Sequence, residues 1–365
     1  MIEHEQWMTF ALAQAQAALY RTRPNPAVGC VVVKDGQIVG RGATAPVGGS
    51  HAEVFALQQA GEHAKGATVY VTLEPCAHYG RTPPCAEALV KAQVAKVVIA
   101  TLDSNPLVAG KGQQLLHDAG IATEIGILEQ QAIELNRGFL KVMAGGLPYV
   151  RLKIAASLDG RTAMASGESK WITGKAARQD VQHWRAISGV VITGIETILA
   201  DDAQLNVRDL PSIDLTQIVQ PYRLILDRQG RLPLSAKVLQ QPQTVMVMTP
   251  YREDLAALGV IQLPIQSLPD LMQTLKMQYQ IYDVLVEAGA TLVTSFLQEK
   301  LVDEVIQYIA PTYLGQTARP LNQCVFSRMQ QRMRFTLLES VQIGQDLCVR
   351  LKPEQHCCEM NEKTS

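Results

Sequence analysis

The sequence lacks the features that mark several specialised classes of protein. Its 365 residues carry a net charge of −1 and only 5% aromatic residues. The missing basic excess argues against binding nucleic acid by bulk electrostatics, and the scarcity of aromatic residues argues against a base-stacking platform. No apolar run reaches the roughly 18 residues that a membrane span needs, and no secretory signal pattern opens the chain. We therefore expect a cytoplasmic protein without nucleic-acid or membrane partners.

A disulfide framework is also missing. The seven cysteines are odd in number and scattered along a long chain, which is typical of reduced thiols in a cytosol. We therefore ask which of them bind metal. Cys30, Cys324 and Cys348 have no ligand partner at a suitable spacing and are expected to be small buried residues.

The length and the periodicity predict two α/β domains. In the first half the patterns predict helices over 3–20, 51–62, 84–93, 112–119 and 128–141, and strands over 28–33, 37–41, 68–73, 95–101 and 121–125. A Gly-Gly and Pro break at 144–148 separates a domain over 1–145 from one over 146–352. Residues 353–365 lack periodicity and are expected to be a disordered tail.

In the second half, strands are predicted to alternate with helices. We expect strands over 149–155, 189–193, 223–227, 244–249, 283–287 and 304–310, and helices over 174–186, 268–278 and 290–299. Strands that alternate with helices favour a layered α/β unit.

A set of zinc-ligand residue types occurs in the first half. His51 opens a predicted helix, Cys76 follows a predicted strand, and Cys85 opens another helix. Imidazole nitrogen and thiolate sulfur suit zinc, and three protein ligands leave a position for water, whose pKa zinc lowers to about 7. Glu53, two residues after His51, is placed to carry that water's proton, as in zinc deaminases. The alternative is two buried cysteines and an unrelated histidine.

Four segments of the first half resemble one family. Segments 24–33 (PNPAVGCVVV), 51–54 (HAEV), 72–76 (TLEPC) and 80–85 (GRTPPC) look like the bacterial bifunctional riboflavin-biosynthesis deaminase–reductase. The resemblance extends to about Leu351 and implies a cytidine-deaminase-like first domain. It implies that His51, Cys76 and Cys85 bind zinc and that Glu53 is catalytic.

The same resemblance implies contacts with a phosphorylated pyrimidine. Asn25 matches a residue that lines the pyrimidine pocket, and His78, Arg81 and Thr82 match a loop that grips the substrate. One departure is Thr44, where the family commonly has a histidine.

The second half contains neither a Gly-x-Gly-x-x-Gly fingerprint nor a Walker loop. It does contain small or polar turns after apolar strands, at 152–161, 194–202 and 287–292. Such turns at helix starts can bind phosphate through free backbone amides, although they are also common without a ligand.

These turns resemble the reductase half of the same family, which has a dihydrofolate-reductase-like fold. The resemblance implies NADPH contacts at Ala155, Trp171, Thr197, Asp201, Arg228, Gly289, Ala290, Thr291, Leu292, Val293, Thr294 and Ser295. It implies substrate contacts at Ser169, Arg185, Leu205, Arg208 and Glu287. The family often has serine in place of Arg228, and proline in place of Ala203.

The sequence therefore predicts an enzyme with two activities. The first domain would deaminate a diaminopyrimidinone ribosylamine phosphate with zinc, and the second would reduce the ribose with NADPH. Arg185 and Arg208 would supply bidentate contacts to the substrate phosphate, and Lys153 is a further candidate contact. Further copies of the chain are the expected protein partner. The alternatives are a nucleoside or tRNA-base deaminase with a non-catalytic second domain, or a binding module with a broken site.

Overall fold

The computed structural model describes residues 2–79, 83–211 and 213–354. Contacts within the chain divide it into two compact units. The first comprises Met1–Tyr149, Ser212–Val219 and Met272–Asp283, and the second comprises Val150–Pro211, Gln220–Leu271 and Val284–Ser365. No helix in the described ranges has both the length and the apolar character for crossing a membrane.

The first unit contains a five-stranded sheet with helices on both faces. Its elements are α1 (Ile2–Ala18), β1 (Gly29–Lys34), β2 (Gln37–Ala43), α2 (Ala52–Ala60), β3 (Thr68–Leu73), α3 (Cys85–Lys91), β4 (Lys96–Thr101), α4 (Lys111–Asp118), β5 (Ala122–Ile125), α5 (Glu129–Leu135) and α6 (Arg137–Met143). The strand order is β2-β1-β3-β4-β5. β1 runs antiparallel to β2 and β3, whereas β3, β4 and β5 are parallel.

Strand β1 shows why the sheet is covered on both faces. Cys30 and Val32 point into one apolar cluster together with residues of α2 and α3. Val31 and Val33 point into the other cluster, which includes Met8 and Ala11 of α1. Successive side chains of a strand alternate between the faces, so an uninterrupted apolar run requires cover on both.

The helix predicted over 128–141 is wrong in one respect, because the structure divides it into α5 and α6. Asn136 lies between them with φ −128° and ψ 27°, outside the helical region. Its side chain bonds to the backbone of Ala27, so a tertiary contact replaces the local helical conformation.

The second unit is built on a nine-stranded sheet. The remaining elements of the chain are β6 (Tyr149–Ser157), β7 (Arg161–Ala163), α7 (Lys175–Ile187), β8 (Val190–Gly194), α8 (Ile195–Asp201), β9 (Tyr222–Leu226), β10 (Val245–Met248), α9 (Glu253–Ala257), β11 (Ile261–Leu263), α10 (Leu268–Tyr279), β12 (Asp283–Glu287), α11 (Ala290–Gln298), β13 (Glu304–Ala310), β14 (Arg319–Pro320), β15 (Phe335–Ile343) and β16 (Asp346–Pro353). Most of α10, from Met272 onward, belongs to the first unit. The strand order is β11-β10-β9-β8-β12-β6-β13-β16-β15, and β7 pairs separately with β14.

The direction of the strands determines where the second unit can bind a ligand. β8, β9, β10 and β12 are mutually parallel, so their carboxyl ends share one edge of the sheet. Residues of α7 cover part of this sheet and pack with the strands in one apolar cluster. In open α/β sheets, ligands bind at the carboxyl ends of the strands.

The hairpin of β15 and β16 has no counterpart among the predicted elements. Its register shifts between Leu337 and Glu339, so Leu338 is an extra residue that interrupts the alternation of side chains. β16 includes Pro353, the first residue of the predicted tail, while residues 355–365 lie outside the described residues.

Candidate functional site

Three metal-ligand side chains of the first unit lie together. The candidate ligand atoms of His51, Cys76 and Cys85 all lie within 4.8 Å of one another. His51 Nδ1 lies 3.2 Å from Cys85 Sγ and 3.6 Å from Cys76 Sγ. One imidazole nitrogen and two sulfurs that converge in this way fit a zinc ion with an open fourth position.

Each ligand lies at the end of a regular element. His51 is the residue before α2, Cys76 follows β3, and Cys85 is the first residue of α3. α2 reaches this position because β2 carries glycine beneath it, since a Cβ on Gly42 would lie 2.1 Å from the carbonyl oxygen of Ala52. The packing of the helix on the sheet therefore places the three ligand side chains next to one another.

Hydrogen bonds to the sulfur of Cys76 favour its thiolate form. Cys76 Sγ accepts from the backbone N–H of Cys85 at 3.3 Å. Hydrogen bonds with the Cys85 and His51 side chains lower the pKa of the Cys76 thiol to about 4. Because the thiolate is the form that ligates metals, this arrangement favours metal binding at neutral pH.

Glu53 lies in the first turn of α2, beside the three ligands. It is 3% exposed, and burial raises the pKa of its carboxyl to about 7. A carboxyl group whose pKa is near neutral can both accept and donate a proton. The position and burial of Glu53 therefore suit a proton carrier.

A positioning residue that the sequence analysis missed is Glu74. One carboxylate oxygen accepts from the N–H groups of Asp103 and Gly110, at 3.2 and 3.0 Å. The other accepts from those of Gly112 and Gln113, at 2.9 and 3.2 Å. Glu74 thus ties the loop before α4 to the segment that carries Cys76, and only its place in the segment 72–76 hinted at this role.

The turn before β1 carries the predicted pyrimidine contact. Asn25 is exposed there, and its backbone N–H donates to Thr22. Two residues further on, the Asn136 amide accepts from the N–H of Ala27 at 2.8 Å and donates to its carbonyl at 2.9 Å. The substrate role of Asn25 stays a prediction, but the backbone beside it is firmly held.

Thr44, which replaces the family's histidine, and the loop residues predicted to contact the substrate differ in their surroundings. Thr44 is 4% exposed, and its hydroxyl bonds to the backbone of Val28, so it supports the turn from within. His78 is exposed in the loop after Cys76. Arg81 and Thr82 lie outside the described residues.

Two of the three described cysteines without a predicted metal role are buried. Cys30 and Cys348 are 0% and 3% exposed, as expected. Cys324 is only half-buried, in the irregular segment between β14 and β15.

A cleft of about 1350 Å³ lies at the carboxyl ends of β8, β9, β10 and β12. Of the predicted cofactor contacts, it is lined by Ala155, Trp171, Thr197, Asp201, Arg228, Gly289, Ala290, Thr291, Leu292 and Ser295. Of the predicted substrate contacts in this unit, it is lined by Ser169, Arg185, Leu205, Arg208 and Glu287. Each of these turns is by itself weak evidence for a binding site, but together they line one cleft.

Two predicted cofactor contacts do not line this cleft. Val293 is 1% exposed on the inner face of α11. Thr294 donates to the carbonyl of Ala290 and accepts from the N–H of Gln323. Consecutive residues of a helix point in different directions, so α11 presents only part of its first two turns to the cleft.

The geometry of Arg185 differs from the predicted contact with phosphate. Its Nε and Nη2 donate to the two carboxylate oxygens of Glu287, at 2.6 and 2.9 Å. Its Nη1 donates to the carbonyl of Asn206 at 3.1 Å. Because its bidentate face is occupied by Glu287, Arg185 is placed to orient Glu287 and the loop that bears Arg208.

Arg208 is the more open of the two arginines. Its side chain is exposed, and its backbone N–H is held by Gln182 at 3.0 Å. Partial burial and the charge of Arg185 lower the pKa of its guanidinium, and the charges of Glu287 and Asp209 oppose this shift. Lys153 lies near the same charges, and burial lowers the pKa of its ammonium.

Two further sets of contacts connect residues that line the cleft. Ser169 and Lys170 bond to Asp201, which connects the segment after β7 to the end of α8. Trp171 is 67% exposed, and the guanidinium carbon of Arg178 lies 4.3 Å from the centre of its ring. Trp171 therefore offers a supported flat apolar surface to a ligand.

Comparisons with known proteins cover both units. Residues 1–101 match the cytidine and deoxycytidylate deaminase zinc-binding region, and residues 148–349 match the RibD C-terminal domain. The chain is 48% identical to the riboflavin biosynthesis protein RibD of Haemophilus influenzae, over 95% of this chain and 97% of that protein. It is 46% identical to RibD of Escherichia coli, over 96% and 99%.

Solved structures agree along nearly the whole chain. RibD of Acinetobacter baumannii, form 1, superimposes with a TM-score of 0.94 at 66% identity, covering 97% of this chain and 99% of that one. A diaminohydroxyphosphoribosylaminopyrimidine deaminase/5-amino-6-(5-phosphoribosylamino)uracil reductase of Thermotoga maritima gives 0.86 at 32% identity, covering 96% and 99%.

Proposed function

Because the chain belongs to the RibD family of riboflavin biosynthesis, we propose which of its residues carry out each of the family's two reactions. The protein is a bifunctional enzyme, with a zinc-dependent deaminase in its first half and an NADPH-dependent reductase in its second. It deaminates 2,5-diamino-6-ribosylamino-4(3H)-pyrimidinone 5′-phosphate and then reduces 5-amino-6-(5-phosphoribosylamino)uracil to the ribityl product. A deaminase with a non-catalytic second domain is not favoured, since residues 148–349 match the RibD C-terminal domain.

In the deaminase, His51, Cys76 and Cys85 hold the zinc ion and Glu53 moves the proton. Zinc supplies a Lewis acid that makes water a stronger acid at the site. Glu53 takes a proton from the attacking water and delivers it to the departing amine. The observation that supports this role is the burial of Glu53 beside the converging ligands. Asn25 contacts the pyrimidine from the turn before β1.

The substitution Glu53→Gln tests this assignment. It preserves the size of the side chain and removes the proton carrier, so deamination should fall by about 10²–10⁴-fold. Zinc content by elemental analysis should not change, and the reductase should still oxidise NADPH with the deaminated intermediate. Normal deamination by the variant would refute the role of Glu53, and parallel loss of both activities would refute independent sites.

In the reductase, Arg208 binds the substrate phosphate and Arg185 acts through Glu287. The exposed guanidinium of Arg208 is available to a ligand, whereas that of Arg185 is engaged. Arg185 also holds Asn206, two residues before Arg208, and so fixes the loop from which Arg208 extends. The same cleft is lined by Glu287, Ser169, Leu205 and Lys153.

The substitution Arg208→Lys tests the phosphate contact. Lysine keeps the charge but loses the planar fork, so KM for the phosphorylated intermediate should rise sharply. NADP⁺ binding measured by calorimetry should change little. An unchanged KM would refute the phosphate role of Arg208 without affecting the family assignment.

The turn from Gly289 to Ser295, together with Thr197, would hold NADPH. Five of the seven residues in that turn line the cleft, and Gly289 precedes α11, whose first amides are free to bind a phosphate. Trp171 offers its ring face at the other wall, and Asp201 orients Lys170 there. When bound, NADPH supplies the hydride.

We also propose that the protein is a cytoplasmic homo-oligomer. β15 is an edge strand of the nine-stranded sheet, and its Leu337 and Val341 are 58% and 44% exposed. Exposed apolar edge strands are sites of pairing with another chain. Light scattering should give an oligomeric mass for the full chain. Leu337→Asp should lower that mass toward the value of a single chain. The metal-ligating thiols and the five free cysteines among the described residues suit a reducing compartment.

A further inference from the structure

The hairpin of β15 and β16 contacts the start of α7 through a buried carboxylate. Asp346, the first residue of β16, is 0% exposed, and its Oδ2 accepts from the backbone N–H of Gly174 at 2.7 Å. Gly174 is the residue before α7 and has no side chain with which to cap the helix. Asp346 therefore makes, from 172 positions away, the contact that a glutamate in the first turn makes in a capping box.

Close packing of the hairpin turn against α7 accompanies this hydrogen bond. Gly344, which lies in the turn with φ +64°, is so near α7 that a Cβ on it would be 2.9 Å from the Cβ of Ala176. Ile343 packs against the apolar cluster that includes Ala177 of α7. These contacts therefore hold the hairpin against the first turn of the helix.

The segment 169–173, which precedes Gly174, forms one wall of the cleft in the second unit. Its five residues, Ser169, Lys170, Trp171, Ile172 and Thr173, all line the cleft. Hydrogen bonds to Asp201 hold the first two residues of this segment. At the other end Asp346 holds Gly174, so Trp171 lies between two anchored points.

Arg178 connects Gly174 to the ring of Trp171. The backbone N–H of Arg178 donates to the carbonyl of Gly174 at 3.2 Å, and its Nη1 donates to the carbonyl of Thr173. Its guanidinium carbon lies 4.3 Å from the centre of the Trp171 ring. A displacement of Gly174 would therefore move both the arginine that supports this ring and the backbone that carries it.

We propose that Asp346 is a positioning residue of the reductase, which holds the segment 169–173 in the conformation that binds NADPH. This inference rests on the proposed function, which assigns the ring face of Trp171 to the cofactor. Asp346 itself does not line the cleft and acts only through Gly174. Without it, the segment would spend part of its time in other conformations, and the apparent Kd for NADPH would rise as the competent fraction falls.

The charge of Asp346 adds to the effect of its hydrogen bond. α7 has 13 residues, and its N-terminus carries a partial positive charge that a nearby carboxylate stabilises. Oδ1 of Asp346 is buried and has no hydrogen-bond partner within the described residues. Asp346→Asn can therefore keep the accepting oxygen and lose only the charge, which separates the two contributions.

The test measures KM and kcat of the full chain for NADPH, with the deaminated intermediate as substrate. Asp346→Ala removes the acceptor and should raise KM for NADPH by about 10-fold, the lower end of the range for a hydrogen bond to a charged group. Asp346→Asn should stay within about threefold of the native KM. A merely structural role would reduce the number of folded molecules, which lowers the apparent kcat and leaves KM unchanged.

A double-mutant cycle shows whether Asp346 acts through Trp171. Trp171→Leu removes the ring face and should itself raise KM for NADPH. If Asp346 acts through this ring, adding Asp346→Ala to Trp171→Leu should raise KM by less than about twofold, whereas independent effects would multiply. Effects that multiply would overturn the route through Trp171.

Two further variants separate this effect from an effect on folding. Glu339→Gln weakens the same hairpin at its pair with Arg350, where the Glu339 side chain is 52% exposed, and should leave KM for NADPH unchanged. If Asp346→Ala does not fold, Asp346→Ser takes its place, because its hydroxyl keeps the buried site polar but is too short to reach Gly174. Thermal unfolding would verify the fold, and faster hydrogen exchange at the N–H of Gly174 would verify the loss of the bond.

The outcomes separate this proposal from the proposed function. A native KM in Asp346→Ala, or an equal rise in Glu339→Gln, would overturn the role of Asp346, while NADPH oxidation by the native chain would still support the reductase. Failure of the native chain to oxidise NADPH with the deaminated intermediate would overturn the proposed function and this inference together.

Discussion

The buried pair of Arg185 and Glu287 gives the sharpest prediction for the second unit. Their side chains are 9% and 11% exposed, so solvent screens the charges little. Glu287→Gln removes the negative charge and leaves the guanidinium without its counter-ion. Breaking a buried ion pair from one side costs about 3–5 kcal/mol, and glutamine keeps one acceptor oxygen, so we expect about 3 kcal/mol.

This free energy translates into a measurable shift in thermal unfolding. For a unit of about 200 residues, each kcal/mol lowers the midpoint by about 2–4 °C, so the second unit should unfold about 6–12 °C lower. Differential scanning calorimetry of the full chain would record it. Deaminase activity should not change, while KM for the phosphorylated intermediate should rise, because Arg185 also holds the carbonyl of Asn206.

A matched control is available in the same cleft. Glu196 and Arg231 form a pair whose side chains are 75% and 40% exposed, so Glu196→Gln should cost less than about 1 kcal/mol. The double variant Arg185→Met/Glu287→Leu should be more stable than Glu287→Leu alone, since it removes the stranded charge. Equal shifts for the buried and exposed pairs would refute the reasoning.

Three further predictions concern both units. Cys85→Ser should lose zinc in elemental analysis, because Cys85 is one of the three converging ligands. Cys30→Ser should keep zinc, because Cys30 is not one of them, and full zinc in Cys85→Ser would contradict the proposed site. Glu74→Gln removes one of two acceptor oxygens that hold the loop before α4 and the first turn of α4, so it should destabilise the first unit by about 1–3 kcal/mol. Hydrogen exchange at Gly112 should become faster, and native-like exchange there would argue against the anchoring role. Hydrogen bonds from Ser157 and from the backbone of Leu314 and Gly315 lower the pKa of Asp159 from 3.8 to about 2, so its contribution to stability is complete above pH 4 and is lost as the pH falls toward 2. Asp159→Asn should therefore flatten the acid limb of a stability–pH curve, and an unaltered limb would refute this.

Local patterns were sufficient for most of the elements. The strands over 68–73, 283–287 and 304–310 agree with the structure at both ends, because each is an apolar run bounded by polar or turn residues. The mixed α/β class, with a deaminase-like first half and a reductase second half, is confirmed. The boundary at 145/146 stays a prediction.

What failed depended on contacts between distant residues. Nothing near Asn136 in the sequence indicates that its amide is required by Ala27, and so the break between α5 and α6 was missed. Similarly, nothing in the sequence indicates that Arg185 and Glu287, which are 102 positions apart, form an ion pair with each other. The grouping of His51, Cys76 and Cys85 could be predicted, because imidazole and thiolate are residue types that suit zinc. Their role as zinc ligands stays a prediction.

The junction at Asn136 has a consequence for redesign of the deaminase. A side-chain amide offers the same donor and acceptor as a peptide unit. Asn136 therefore makes the hydrogen bonds to Ala27 that a neighbouring backbone segment could make, although the two residues are 109 positions apart. Transplanting only the segment that contains Asn25 into another scaffold would leave this partner behind. A graft of the proposed pyrimidine pocket therefore has to include the α5–α6 junction. Asn136→Asp, which cannot donate, would loosen the turn without changing the proposed substrate contact at Asn25.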